Sequence, residues 1–274
     1  MMRLFSKLFG QRTADSNGPA ALLTRAQFAD HYLTILAEKA PELVAERIAT
    51  DVRLQWADGG TMTQFMGNAY TQYRNEPDAL DAVLEAQLAS ARTTAAPQQA
   101  LDLNLVLPLV KSRSWLATAS AQTGAGADLL IRPLVSDLII VFAQDLPDTI
   151  TYVKGSDLVG VCEEAQLVSR AISNLAARVP ALEPVGGDGR YRIELDGFFD
   201  ASLILVASDW IRPLALEGDP VFAIPCRDQL MVCGSANAEA VAELEEIAPA
   251  IASNEAYRIS GELLTLRDGV LQPL

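Results

Sequence analysis

Histidine is nearly absent from this chain, cysteine is scarce, and basic residues are outnumbered by acidic ones; each shortage removes a class of function. The single histidine, His31, must serve any Ser-His or Cys-His dyad, and a histidine-rich metal site is excluded by arithmetic. His31 lies between Phe28 and Ile35 at helical spacing, which reads as an ordinary helix histidine. Three cysteines, Cys162, Cys226 and Cys233, are an odd number without CxxC spacing. They make no zinc ribbon and fit reduced thiols in a cytoplasmic setting, although two of them could pair. No GxxxxGK[ST], no GxGxxG between a strand and a helix, and no GxSxG elbow occurs, so phosphate-cradling and hydrolase machinery lack their usual sequences. No cofactor is expected.

Long apolar runs are missing as well. The longest, such as 200–207 and 137–143, fall short of the ~20 residues a spanning helix needs. The start, MMRLFSKLFGQR, is interrupted by Arg3, Lys7 and Arg12, so it lacks a signal-peptide apolar region and reads as a frayed segment without stable membrane insertion. Lys and Arg total 21 against 35 Asp and Glu, a net charge of −14, which opposes nucleic acid and favours basic protein partners. What remains is ordinary for a folded protein: 50% hydrophobic and 20% charged residues over 274 positions, enough for one large or two small domains.

Periodicity predicts an α+β fold with mixed, largely antiparallel sheets, packed helices and two modules. Residues 1–22 read as a flexible N-terminal segment. A small α-β-β-α module over 23–95 opens with a helix that Thr24 and Gln27 begin at capping-box spacing and Pro41 closes. Val52, Leu54 and Trp56 alternate into the turn Asp58-Gly59-Gly60, with a return strand over 61–65, and a second helix follows Pro77. Residues 91–100 read as a linker. The larger α+β module, 101–274, carries strand signals at 103–110, 129–135, 137–145 and 149–153, with Gly124-Ala125-Gly126 as a turn. A core-packing helix is predicted over Glu163 to Val179 and alternating residues at 191–195 after the turn 186–189. Residues 201–211 are ambiguous and lean towards a helix capped by Asp200. Paired strands at 221–224 and 229–232 surround Pro225-Cys226-Arg227-Asp228, then come a helix near 237–251 and strands near 256–259 and 263–267.

The segments RPLVSDLIIVFAQDLPDTITYV, AISNLAARVP, DGFFDASLILVASDW and GDPVFAIPCRDQLMV, preceded by FADHYLTILAEKAPEL and QFMGNAYTQYRNEPD, resemble the bacterial YtpQ family in order and spacing. The likeness spans most of the chain, from Thr24 to Val270. Cys226 departs from it, standing where the family pattern leads one to expect Ser or another small polar residue. The resemblance implies a single cytosolic family fold of unknown function and brings no catalytic residues with it.

The candidate ligand- or partner-binding residues are Trp210, Arg227, Asp228, Cys226 and Asp196, all within the most distinctive stretch of the chain. Arg227 and Asp228 are adjacent opposite charges at a turn between apolar strands: an internal ion pair, or a fork for a ligand carboxylate. If both are buried, Asp228→Ala should cost roughly 3–5 kcal/mol. Beside Arg227, Cys226 is either a low-pKa thiol or a small buried hydrophobe. Asp145, Asp148, Asp196, Asp200, Asp209 and Asp228 suit caps and turns, with a hard divalent cation as the alternative, and no metal site is expected. Trp56, Trp115 and Trp210 read as core residues, with a partner interface as the alternative for any that is partly exposed. Asn174, beside Ile172 and Leu175, is placed to tie its helix to a loop. The function expected is a non-catalytic, cytoplasmic protein-binding or adaptor module with an acidic surface, compatible with homo-oligomers. The alternative is a small-ligand sensor or enzyme with a pocket near Trp210, Arg227 and Asp228.

Overall fold

A computed structural model describes residues 22–57, 59–95, 100–123, 128–147 and 149–274. The N-terminal segment, but for Leu22, lies outside them, as do Asp58, Pro97, Gly124-Ala125-Gly126 and Asp148. The architecture is α+β, with antiparallel strand pairing throughout the registers given below. The chain divides into two compact units, the smaller built from the described residues up to Ala100 with Pro147 and Thr149, and the larger from Leu101–Leu146 and Ile150–Leu274.

In the smaller unit, α1 (Arg25–Lys39) begins where the Thr24 hydroxyl accepts the Gln27 N–H and the Gln27 side chain accepts the Thr24 N–H at 2.9 Å. Its buried stripe of Phe28, Ala29, Tyr32 and Leu36 faces the core, and His31 is exposed. Strands β1 (Val44–Ile48), β2 (Asp51–Gln55) and β3 (Thr61–Gln64) form a sheet in that order. The hairpin of β2 and β3 is the one expected; β1 is an addition. It is an edge strand whose sequence VAERI has no buried face, so it lacks the alternation by which strands are recognised. Helix α2 (Gly67–Asn75) also went unpredicted, because only Ala69 and Tyr73 are buried along GNAYTQYRN. The helix after Pro77 starts as a 3₁₀ turn and continues as α3 (Leu80–Ala95), so half of the expected linker is helical and Ala91 is buried. The module is therefore α-β-β-β-α-α. At its centre the Tyr32 hydroxyl donates to Gln64 Oε1 at 2.8 Å, and Gln64 Nε2 donates to the Gln87 carbonyl at 2.9 Å. Burial raises the Tyr32 pKa, so this network is neutral.

The larger unit opens with β4 (Val106–Ser112), buried along its whole length, and α4 (Arg113–Thr123), whose first turn Ser112 holds by accepting the Trp115 N–H. The sequence RSWLATASAQT carries no apolar stripe, which is why α4 escaped the periodicity analysis. Strands β5 (Ile131–Pro133), β6 (Leu138–Leu146) and β7 (Thr149–Tyr152) complete the first sheet, with β6 pairing β4, β5 and β7. Helix α5 (Glu164–Ala176) lies on it through Leu167, Ala171 and Leu175. Asn174 Nδ2 donates to the carbonyls of Leu103 and Val106, both at 2.8 Å, tying helix to loop as expected.

The second sheet holds β8 (Glu183–Gly187), β9 (Arg190–Glu194), β10 (Pro220–Ala223), β11 (Leu230–Gly234), β12 (Leu263–Arg267) and β13 (Val270–Pro273), in the order β13-β12-β10-β11-β9-β8. At the β8–β9 hairpin Gly186 has φ of 137°, and a Cβ there would lie 2.2 Å from the Arg190 carbonyl oxygen, so no larger residue fits. Between β9 and β10 the ambiguous stretch is a 3₁₀ helix, Asp200–Val206, followed by the short α6 (Ala207–Trp210). Asp200 does not cap it. Its buried carboxylate instead turns back to accept the N–H groups of Leu195 at 2.9 Å and Asp196 at 3.4 Å. Helix α7 (Ala238–Asn254) follows β11, with Asn237 accepting the Ala240 N–H. The expected strand at 256–259 is reduced to one bridge between Arg258 and Cys226.

The central strands β10 and β11 explain the continuous apolar runs of the sequence. Alternation sends Phe222 and Val232 into the main core with Leu203, Val206 and Trp210, and sends Val221, Ala223, Met231 and Cys233 against Ala240, Leu244 and Ala248 of α7. Both faces are covered, which accounts for the run of apolar residues along both strands.

Candidate anion site on the larger unit

Three loops of the larger unit are laced together by main-chain bonds. The Ala201 N–H donates to the Arg227 carbonyl at 3.0 Å, the Arg227 N–H to the Tyr257 carbonyl at 3.1 Å, and the Ile259 N–H to the Pro225 carbonyl at 2.8 Å. Asp196 shapes the first loop: its Oδ1 accepts the N–H groups of Phe198 and Phe199, each at 2.8 Å, and its other oxygen meets Arg178 at 3.2 Å. Arg178 also pairs with Asp145 at 2.6 Å and lies over the Phe199 ring. Asp196 is thus a positioning residue for Phe198.

The guanidinium of Arg227 lies 4.0 Å from the Phe198 ring centroid and 3.8 Å from that of Tyr257. Rings cover the guanidinium and leave its N–H edge as the polar surface. Among the described residues no carboxylate pairs with it, and its Nε is buried without a hydrogen-bond partner. The expected Arg227–Asp228 ion pair does not form: Arg227 is held between two rings and Asp228 is exposed. Asp228→Ala should therefore cost less than about 1 kcal/mol in urea denaturation rather than the 3–5 kcal/mol of a buried pair.

A second cation faces the same place. Lys111 sits near the end of β4, on the face shared by Leu107 and Leu109, and is only 6% exposed. Val110 beside it donates to Ser202 Oγ at 3.1 Å, which ties this strand to the segment following Phe198. The ammonium lies 5.4 Å from the Trp115 ring centroid, and Trp115 packs on Tyr152 with centroids 5.3 Å apart. Burial, reinforced by repulsion from Arg227, pulls the Lys111 pKa down to about 7. Burial pushes Tyr152 up to about 12; the positive charge of Arg227 opposes that rise and Tyr257 adds to it. The Val110–Ser202 hydrogen bond and the Ala201–Arg227 hydrogen bond connect the end of β4, through the Asp200–Val206 segment, to the turn that carries Arg227. Among the described residues Lys111 makes no ion pair either.

The remaining candidates do not join this group as ligand-facing residues. Trp210 is 3% exposed, packs edge-on to Phe222, and donates its indole N–H to the Leu203 carbonyl at 2.9 Å. It is core, so the pocket expected between Trp210, Arg227 and Asp228 is not assembled. Cys226 is fully buried, and its thiol pKa is raised by burial first and then by Asp228, which removes the reactive-thiolate reading. All three cysteines are free. Among the described residues no cluster of three His, Cys, Asp or Glu side chains is arranged for a metal ion, and no helix is long and apolar enough to cross a membrane.

Lys111, Trp115, Tyr152, Phe198 and Tyr257 were missed by the sequence reasoning. The one available signal was Lys111 closing the apolar run LNLVLPLV, which looks like a strand end and not a buried charge. Comparisons with protein-family models, curated proteins and solved structures find no match for the chain.

Proposed function

We propose that this chain is a binding protein for a small organic anion, held in the larger unit between Lys111 and Arg227. One observation carries the reading: in a strongly acidic protein the 6% exposed Lys111 and the ring-flanked Arg227, on segments joined through the Val110–Ser202 and Ala201–Arg227 hydrogen bonds, are paired with no acid among the described residues. Two like charges held together raise the free energy of the empty site, and a carboxylate or phosphate lowers it again. The N–H edge of Arg227 matches the forked geometry of either anion. This is the sensor-or-enzyme alternative of the sequence reading, moved from Trp210 and Asp228 to a new set of neighbours around Arg227.

Calorimetric titration of the full chain with pyruvate, oxalate and inorganic phosphate tests it. Binding of at least one anion should weaken by about tenfold or more in Arg227→Gln. Heat unaffected by that substitution, or no heat from any of the three, overturns the reading.

An adaptor role for the acidic surface is a second reading, supported by the net charge of −14 and directed at a basic protein partner. A cytoplasmic setting accords with the three free thiols. Membership of the YtpQ family remains part of the proposal, resting on the sequence resemblance alone.

A further inference from the structure

We propose that the larger unit has a second ligand site, for a sugar phosphate, in the groove between α5 and the loop that leads into β4. The groove is a concavity of about 520 Å³ lined by Leu103, Asn104, Gln166, Ser169, Arg170 and Ser173. That volume is in the range of small-molecule sites. Among the described lining residues Arg170 is the only charge, and it forms no ion pair. A lining with one cation and no acid runs against the balance of a chain whose net charge is −14.

Both walls are fixed in advance. On α5, residues 166, 169, 170 and 173 follow helical spacing and share one exposed face. The loop is held from three sides: Gln144, 4% exposed on β6, accepts the Asp102 N–H at 2.7 Å, Asn174 ties the Leu103 and Val106 carbonyls to α5, and the Leu105 carbonyl accepts the Asp145 N–H at 2.9 Å. Asp102 Oδ1 accepts both the N–H and the Nδ2 of Asn104, each at 2.9 Å, so the Asn104 amide oxygen is left to accept from Arg170 Nη2. One N–H of Arg170 thus sets the guanidinium, and the others are available as a fork for phosphate. Among the described residues the Ser169 hydroxyl and the Gln166 amide make no hydrogen bond. Ser173 donates to the Ser169 carbonyl at 2.9 Å and keeps its oxygen as an acceptor. A planar carboxylate uses the fork alone, whereas a tetrahedral phosphate meets the fork and Ser169 together. Phosphate by itself leaves most of the groove empty; a sugar body brings hydroxyls to Gln166, Ser173 and Asn104 and a C–H face to Leu103.

The test is a titration of the ¹⁵N-labelled full chain with glucose 6-phosphate, inorganic phosphate and glucose, read by backbone amide shifts. Shifts concentrated at 103–104 and 166–173 are expected, with the sugar phosphate bound about tenfold or more tighter than phosphate or glucose. Arg170→Gln, at an exposed position, should weaken it about tenfold or more, and Arg227→Gln should leave it unchanged. The shift map comes from the unaltered chain, so the result does not depend on any variant folding. No shifts at these residues up to about 10 mM ligand, or affinity indifferent to Arg170→Gln, overturns the site. Binding that is lost in Arg227→Gln instead belongs to the other anion site and also overturns this one. Glucose 6-phosphate bound no tighter than phosphate overturns the assignment to a sugar ester.

Discussion

Lys111→Met should make this protein more stable at neutral pH while removing its affinity for anions. In the unfolded chain the amine titrates near 10.5, and in the folded chain burial and Arg227 bring it to about 7. Below the folded value both states are protonated, and the folded state bears the whole cost of a buried ammonium. Between the two values the unfolded state binds the extra proton, so stability rises with pH; above the unfolded value the cost is gone. The fall in pKa corresponds to roughly 3–5 kcal/mol between these extremes. Met keeps the length and apolar stem of the side chain without the charge. The variant should therefore gain most below about pH 7, and its stability should rise less steeply with pH up to about 10.5, in urea titrations run in parallel with the parent. A less stable variant, or identical slopes for the two proteins, would show that the ammonium is solvated. Such a trade of stability for a charged site is the usual cost of preorganising a binding group.

Trp210→Ala should destabilise the larger unit by about 3–5 kcal/mol, with little effect on anion affinity in whatever fraction remains folded. The indole is buried among Leu203, Val206 and Phe222, and its N–H donates to the Leu203 carbonyl, so the substitution opens a large cavity and orphans a buried acceptor. Chemical denaturation gives the first quantity and calorimetry under folding conditions the second. A loss below about 1 kcal/mol would mean the site collapses around the missing ring. A selective loss of binding would return Trp210 to the ligand site, where the sequence reading had put it.

The elements readable in the sequence were those whose local chemistry and tertiary burial agree. Thr24 and Gln27 cap α1 with atoms three residues apart, and Pro225-Cys226-Arg227-Asp228 lies between the buried runs 221–224 and 230–234, so turn and strands announce themselves. Edge and surface elements did not. Neither β1 nor α2 buries enough of its side chains to impose a pattern, and Val270 on β13 is exposed. Asp200 and Asp196 had the composition of caps and ligands alike. Which backbone N–H groups their oxygens meet depends on how the chain turns between β9 and the 3₁₀ helix, and this cannot be derived from residue type.

Composition and spacing alone determined the α+β class, the acidic balance and the poverty in histidine, since each is a count or a short-range periodicity. Only the tertiary structure decided what Arg227 and Lys111 are. Their partners come from separate loops and two sheets, and the meaning of a charge is set by the dielectric and the neighbours that folding places around it. Arg227 lost an expected carboxylate and acquired two rings. Lys111 was taken out of water, and burial turned an ordinary strand-end lysine into the group on which the proposed function depends.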